Sequence, residues 1–381
     1  MIPYGRQSIS AADIEAVVKV LQSDYLTQGP AVPAFENKLA TISHAKHAVA
    51  VNSATSALHI ACLALEVGPG DTVWTSPTTF VASANCALYC GAAVDFVDID
   101  PHTWCLSAER LEEKLKFHKQ QHLPLPKVVI PVHLSGQSCD MAKMANLGAR
   151  YGFRIIEDAS HAVGGSYRGE PVGSCCYSDI VVFSFHPVKI ITTGEGGMAL
   201  TNSADLHRRM SHLRSHGITR DLNLLAHRSK GPWYYEQLEL GFNYRMTDIQ
   251  AALGLSQLER LDYFVRRRNE LAADYDKSLT QLWIRRQQVP DDVVSARHLY
   301  VIRVPADQHR ELFESMYKWG IGVNLHYIPV HLQPYYRGQG FFEGQFPESE
   351  AYGEEAISLP LYPEIEPHQH DQVIDFLSRY N

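Results

Sequence analysis

The chain has 381 residues, 45% of them hydrophobic and 20% charged, and 34 basic against 42 acidic residues leave a net charge of −8. A chain this apolar buries enough surface to offset its conformational entropy, which excludes disorder, and an acidic balance argues against nucleic acid as the main partner. No apolar run reaches the roughly 18 residues of a membrane span, no basic and apolar leader opens the chain, and seven cysteines without paired C-x-x-C spacing suit a reducing cytoplasm.

In chain order, Ser10 with Asp13 matches a capping box ahead of Ile14, Val17, Val18 and Leu21 at helical spacing. Phe35, Leu39 and Ile42 mark a second helix. Short runs rich in β-branched residues then read as strands, over 48–51, 72–76, 93–99, 127–134, 154–160, 180–185 and 197–202. Helical patterns over 55–66, 79–90, 107–119 and 140–151 separate most of them. Such alternation predicts an α/β fold with a mostly parallel sheet sandwiched by helices. VGPGD (67–71) is a turn before a strand. Cys86 with Cys90, and adjacent Cys175 and Cys176, read as small core residues, and no metal is expected.

A strong amphipathic helix follows Thr247, with Ile249, Ala252, Leu253, Leu258, Leu261 and Phe264 inward. The charged RRRNE run (266–270) then changes the rhythm. ARHLYVIRV (296–304), a helix through Leu312, Phe313 and Met316, a strand-like IGVNLHYI (321–328) and a last helix with Val373, Ile374 and Leu377 predict a smaller α+β domain. The expected division is a large α/β domain over 1–260 and a small one over 261–381. Ligands of such sheets collect at the carboxyl ends of the strands.

Four features of the large domain share one chemistry. VNSATSALHIA (51–61) places Ser53, Ala54, Thr55 and Ser56 at a helix N-terminus, a place for a phosphate or for an ordinary cap. IIEDASHAVG (155–164) ends an apolar strand in Glu157 and Asp158, and His161 follows. Beyond Ser184, Lys189 stands among Val188, Ile190 and Ile191, neighbours that lower an amine's pKa and make it nucleophilic, and a turn of Gly194, Glu195, Gly196 and Gly197 comes next. Phe80, past a strand end, serves either as a stacking surface or as a helix staple. A phosphate site, a flat ring, a carboxylate and a desolvated lysine together suit pyridoxal 5'-phosphate: Lys189 takes its aldehyde and Asp158 keeps its ring nitrogen protonated.

NSATSAL, PTTFVASAN, EDASHAVGG, FSFHPVKIITTGEGGM and GFNYRMTDIQAALGLSQL resemble, in order, the DegT/DnrJ/StrS sugar-nucleotide aminotransferases of fold-type I. IPYGRQSI (2–9), DYLTQGP (24–30) and NLHYIPVH (324–331) resemble most the branch that serves pseudaminic acid biosynthesis. The resemblance implies catalytic roles for Lys189 and Asp158, with His161 near the cofactor's 3′-oxygen. It also implies Ala54, Thr55 and Ser184 at the phosphate, Phe80 over the ring, and Asn243 reaching the cofactor of a neighbouring subunit in a homodimer with shared sites. Tyr4, Asp24, Tyr25, Leu26, Thr27, His326 and Tyr327 match positions near the sugar nucleotide, and Arg6 and Arg245 are candidates for its diphosphate.

The reaction so implied moves the amine of L-glutamate, through pyridoxamine 5'-phosphate, to the C4 ketone of a UDP-linked 4-keto-6-deoxy-N-acetylhexosamine. A different nucleotide-linked 4-keto or 3-keto sugar stays open as substrate. Rival chemistries lack their residues: no cysteine stands in an electropositive loop for a desulfurase, no G-x-G-x-x-G turn serves a nicotinamide enzyme, and 19 histidines include no H-E-x-x-H.

Overall fold

A computed structural model describes residues 1–279 and 283–380. Helices α1 (Ala11–Leu21) and α2 (Ala31–Ile42) precede strand β1 (His47–Val51). After it alternate α3 (Ala54–Ala64), β2 (Thr72–Thr75), α4 (Ala82–Tyr89), β3 (Ala93–Phe96), α5 (Ala108–Gln120) and β4 (Val128–Ile130). Then come α6 (Met141–Tyr151), β5 (Arg154–Asp158), the short β6 (Ser166–Tyr167) and β7 (Glu170–Pro171), β8 (Ile180–Ser184), β9 (Gly197–Thr201) and α7 (Ala204–Leu213).

The seven-stranded sheet has the order β1-β9-β8-β5-β4-β2-β3. Only β9 runs against the rest, wedged antiparallel between β1 and β8. Alternate residues of one strand feed different cores: Val49 and Val51 of β1 pack with α3 and α7, while Ala48 and Ala50 pack with α2. Trp74 and Val129 join a third core with α5 and α6. The sheet is therefore buried on both faces, which is why its strands read as unbroken apolar runs.

Each strand expected in the large domain is present, and all but β1 end before their apolar runs do. β4 stops ahead of Pro131, which has no N–H for the ladder. Val97 and Ile99 leave β3 yet stay buried beside Trp104. The capping box of α1 is present, but Ile14, Val18 and Leu21 are exposed and only Asp13 of that helix is buried. Asp13 instead anchors the helix, accepting from Ser256 Oγ at 2.6 Å and Gln257 Nε2 at 2.8 Å. Cys176, expected in the core, is exposed.

The short strands β10 (Ile218–Thr219) and β11 (Glu236–Gln237) pair beyond the large sheet. The helix expected after Thr247 is two: α8 (Asp248–Leu258) and α9 (Leu261–Ser278). At the break Arg260 turns its guanidinium to Asp13 and to the Ser8 carbonyl, 2.5 and 3.1 Å away. The RRRNE run lies inside α9, and its Arg268 is buried.

There follow β12 (Arg285–Arg286), β13 (Val293–Val294), β14 (Tyr300–Arg303), α10 (Ala306–Lys318), α11 (Pro334–Arg337), α12 (Pro347–Glu355), β15 (Ala356–Leu359) and α13 (Pro367–Arg379). β12, β14 and β15 form a three-stranded sheet, and β13 crosses back to pair with β6. The strand expected over 321–328 is absent. Its backbone makes single bridges, Ile321 to Ile2 and Asn324 to Ser358, so no ladder forms. Ile2 thereby joins the apolar cluster of Leu271, Ile302 and Val323 near the other end of the chain.

Candidate active site

The carboxyl ends of β1, β2, β5 and β8 open onto one cavity of about 820 Å³. At the end of β1, Ser53 caps α3 by accepting from Ser56 N at 3.1 Å. The Ala54 and Thr55 amides, first in the helix, find no acceptor among the described residues and line the cavity. Gly197, which opens β9, makes this possible: a Cβ there would lie 2.4 Å from the Ala54 nitrogen.

Asp158 ends β5 and is 5% exposed. Its Oδ2 accepts from Ser83 Oγ at 2.6 Å and its Oδ1 from the Ser160 amide at 3.1 Å. Lys189 follows β8 in a turn whose next residues, Ile190 and Ile191, are buried in the core. Its side chain opens onto the cavity, but the surrounding protein strips water from the ammonium and lowers its pKa to about 8, against the opposing pull of Asp158. Neither Asp158 nor Lys189 forms an ion pair among the described residues. A buried carboxylate without a cation is costly, so the arrangement is incomplete without a ligand.

The cavity gathers Lys189, Asp158, Ala54, Thr55, Phe80, His161 and Ser184, and also Tyr4, His326 and Tyr327. Phe80 is 56% exposed and leans towards Tyr327, with ring centroids 6.1 Å apart. Asn243, Asp24, Tyr25, Leu26 and Thr27 do not line it and are exposed on this chain. Arg6 and Arg245 lie outside it too. The wall includes residues that the sequence did not single out, among them His298, Asn324 and Gln250. His298 packs on His161, ring centroids 4.4 Å apart. It stood in a run legible only as apolar and strand-forming, so nothing in its spacing marked it.

Burial holds three histidines of this wall neutral. It lowers His161 and His298 well below the usual range, with the Lys189 charge adding to the effect, and takes His326 down to about 3. The unpaired carboxylate, the desolvated amine and the free amides of α3 form a set that fits a protonated ring nitrogen, an aldehyde and a phosphate. On these residues pyridoxal phosphate fits.

Known proteins agree. The model of the DegT/DnrJ/EryC1/StrS aminotransferase family matches residues 7–378. The chain is 39% identical to the spore coat polysaccharide biosynthesis protein SpsC of Bacillus subtilis (strain 168), over 98% of this chain and 95% of that one. It is 37% identical to the UDP-4-amino-4,6-dideoxy-N-acetyl-beta-L-altrosamine transaminase of Campylobacter jejuni, over 96% and 93%. Spr1654 of Streptococcus pneumoniae in its PMP form superposes with a TM-score of 0.90 at 31% identity, over 99% of this chain and 98% of that one. The same protein in its PLP form gives 0.89. The chain belongs to the DegT/DnrJ/EryC1/StrS aminotransferase family and is a pyridoxal phosphate-dependent sugar aminotransferase.

Proposed function

We propose that the enzyme moves the amino group of L-glutamate to the C4 ketone of UDP-2-acetamido-2,6-dideoxy-β-L-arabino-hex-4-ulose, giving UDP-4-amino-4,6-dideoxy-N-acetyl-β-L-altrosamine for pseudaminic acid biosynthesis. The observation that carries the chemistry is that Lys189 and the buried Asp158 line one cavity, the aspartate without a cation beside it among the described residues. The likeness to the Campylobacter jejuni transaminase supports the sugar. Bound pyridoxal phosphate supplies an electron sink for charge developing at the substrate's α-carbon. Lys189 would hold the cofactor's aldehyde and, as a neutral amine, would move the proton at the substrate's α-carbon. Asp158 keeps the ring nitrogen protonated, and Ser83 and the Ser160 amide keep Asp158 in place. The α3 amides and Ser184, which line the cavity, would hold the phosphate, and Phe80 would lie against the ring.

The working unit in this reading is a homodimer in the cytoplasm. Ile14, Leu21, Tyr25, Trp233 and Leu240 expose apolar surface that a partner would cover, and all seven cysteines are free. Asn243 then serves the partner's site. Mixing inactive Lys189→Ala with inactive Asn243→Ala protein tests this, because mixed dimers keep one intact site and regain about a quarter of the activity. The boundary near residue 260 between a large and a small domain is part of the same proposal.

The deciding experiment gives the purified holoenzyme L-glutamate and UDP-linked 4-keto-6-deoxy sugars of both configurations, with mass spectrometry of the product. Amination of the L-arabino ketone supports the proposal; amination of a 3-keto sugar instead overturns it.

A further inference from the structure

Helices α3 and α4 pack against each other, with Ala57, Ala61 and Ala64 of one and Ala84 and Ala87 of the other buried in the same core. Side chains this small let two helices approach closely. Three cysteines stand in that seam: Cys62 on α3, Cys86 on α4 and Cys90 at the C-cap of α4. Cys62 and Cys86 are buried, whereas Cys90 packs against the same cluster and keeps part of its surface exposed. One turn before Cys62, on the same face of α3, His59 meets the ring of Tyr89, the neighbour of Cys90, with centroids 5.5 Å apart. The seam is not a metal centre, for no set of three ligating side chains among the described residues could hold an ion.

The three thiols are unequal. Hydrogen bonds with Cys62 and then His59 lower the pKa of Cys90 to about 6, against the burial that raises it. Hydrogen bonds with Cys86 and Cys90, together with burial, push Cys62 well above the ordinary thiol range. The carboxyl end of α4 disfavours an anion, so a thiolate at Cys90 depends on those two neighbours. Cys86 is engaged elsewhere, its Sγ donating to the Ser83 carbonyl at 3.3 Å. A partly exposed thiolate backed by a second thiol is the arrangement in which oxidation becomes selective.

We infer that Cys90 is a peroxide-reactive cysteine and that Cys62 resolves it, giving a disulfide that ties α3 to α4. The Cys90 thiolate attacks one oxygen of hydrogen peroxide. An S–O bond forms, the O–O bond breaks, and the departing hydroxide takes up the proton that the thiol had released. The Cys90 sulfur is thereby oxidised by two electrons to a sulfenic acid, and the peroxide is reduced to water. Cys62 sulfur then attacks the Cys90 sulfur; the S–S bond forms, the S–O bond breaks, and hydroxide leaves with the Cys62 proton as a second water. The Ala54 and Thr55 amides open α3 at the cavity, and Ser83, early in α4, holds Asp158. The disulfide would thus join, at their far ends, the two helices that build the cofactor pocket. It goes beyond the aminotransferase reading and does not depend on it.

The test treats the holoenzyme with one equivalent of hydrogen peroxide, caps the remaining thiols with iodoacetamide and maps the peptides by mass spectrometry. Cys90 should be consumed about ten-fold faster than Cys176, although Cys176 is the more exposed, and should be recovered linked to Cys62. Accessibility alone predicts the reverse order. C62A should stop at the sulfenic acid, which dimedone traps on Cys90, and C90S should form no disulfide at Cys62. The inference is overturned if Cys176 reacts as fast as Cys90, if Cys90 is found linked to Cys86 or left unlinked, or if C62A yields no dimedone adduct at Cys90. A holoenzyme that aminates no sugar would sink the proposed function and leave these thiol results as they are.

Discussion

Lys189 and Asp158 share a cavity, oppositely charged, without forming an ion pair with each other or with any other described residue. Two natural partners are thus held apart, and each keeps its charge available for a third party placed between them. The consequences are measurable.

The first concerns pH. Only a neutral amine attacks an aldehyde, so capture of pyridoxal phosphate by the apoprotein should accelerate as pH rises through about 8, the Lys189 value. Asp158 works against the burial that lowers that value, so Asp158→Asn should move the midpoint lower. Stopped-flow absorbance across pH 6 to 10 reads both; a midpoint near the ordinary lysine value of 10.5 would contradict the assignment.

Lys189→Ala should lower turnover by about 10⁴-fold or more, because in the proposed mechanism one side chain both holds the cofactor and moves the proton. Its thermal unfolding should be unchanged or improved, since the substitution removes a desolvated charge that no ion pair offsets. Rate assays and circular dichroism together separate this from simple misfolding.

Acid should unfold the protein through its buried histidines. The folded-state values of His161, His298 and His326 lie below the ordinary 6.5, so the unfolded chain binds protons that the native state refuses. Their neutral burial costs nothing above about pH 6.5 and becomes unfavourable as pH falls below it, until the folded value is reached. For His326, folded near 3, the loss between pH 6.5 and 4.5 is about 2–3 kcal/mol. His326→Gln should reduce the difference between urea midpoints at pH 7.5 and 4.5; an unaltered difference would remove His326 from the explanation.

Gly197→Ala should cost about 1–3 kcal/mol of stability, because backbone rather than a flexible side chain stands in the way of the methyl group. The new Cβ would press on Ser53 and Ala54, so phosphate affinity should fall along with the melting temperature. Equilibrium dialysis with pyridoxal phosphate checks the second effect.

The large sheet was legible because burial on both faces writes each strand as an apolar run, and helix caps such as Ser10 and Thr247 are local. Most of the cavity wall was legible because its residues follow strand ends in order. Three things were not. The face of α1 has helical periodicity but turns outward, and periodicity carries no information about which surface meets it. Residues 321–328 look like a strand, yet their neighbours offer only isolated bridges. His298 reaches the cavity because β14 places it there, a relation across more than a hundred residues of chain that no spacing encodes.

Arg268, midway along α9, has no acid beside it among the described residues; one of its nitrogens donates to the carbonyls of His298 and Leu361 at 3.2 and 2.8 Å. Two distant segments are thus tied to a single rivet. The backbone that carries the His298 ring at the pocket wall is thereby fastened to α9 and to the chain around Leu361 by one buried guanidinium.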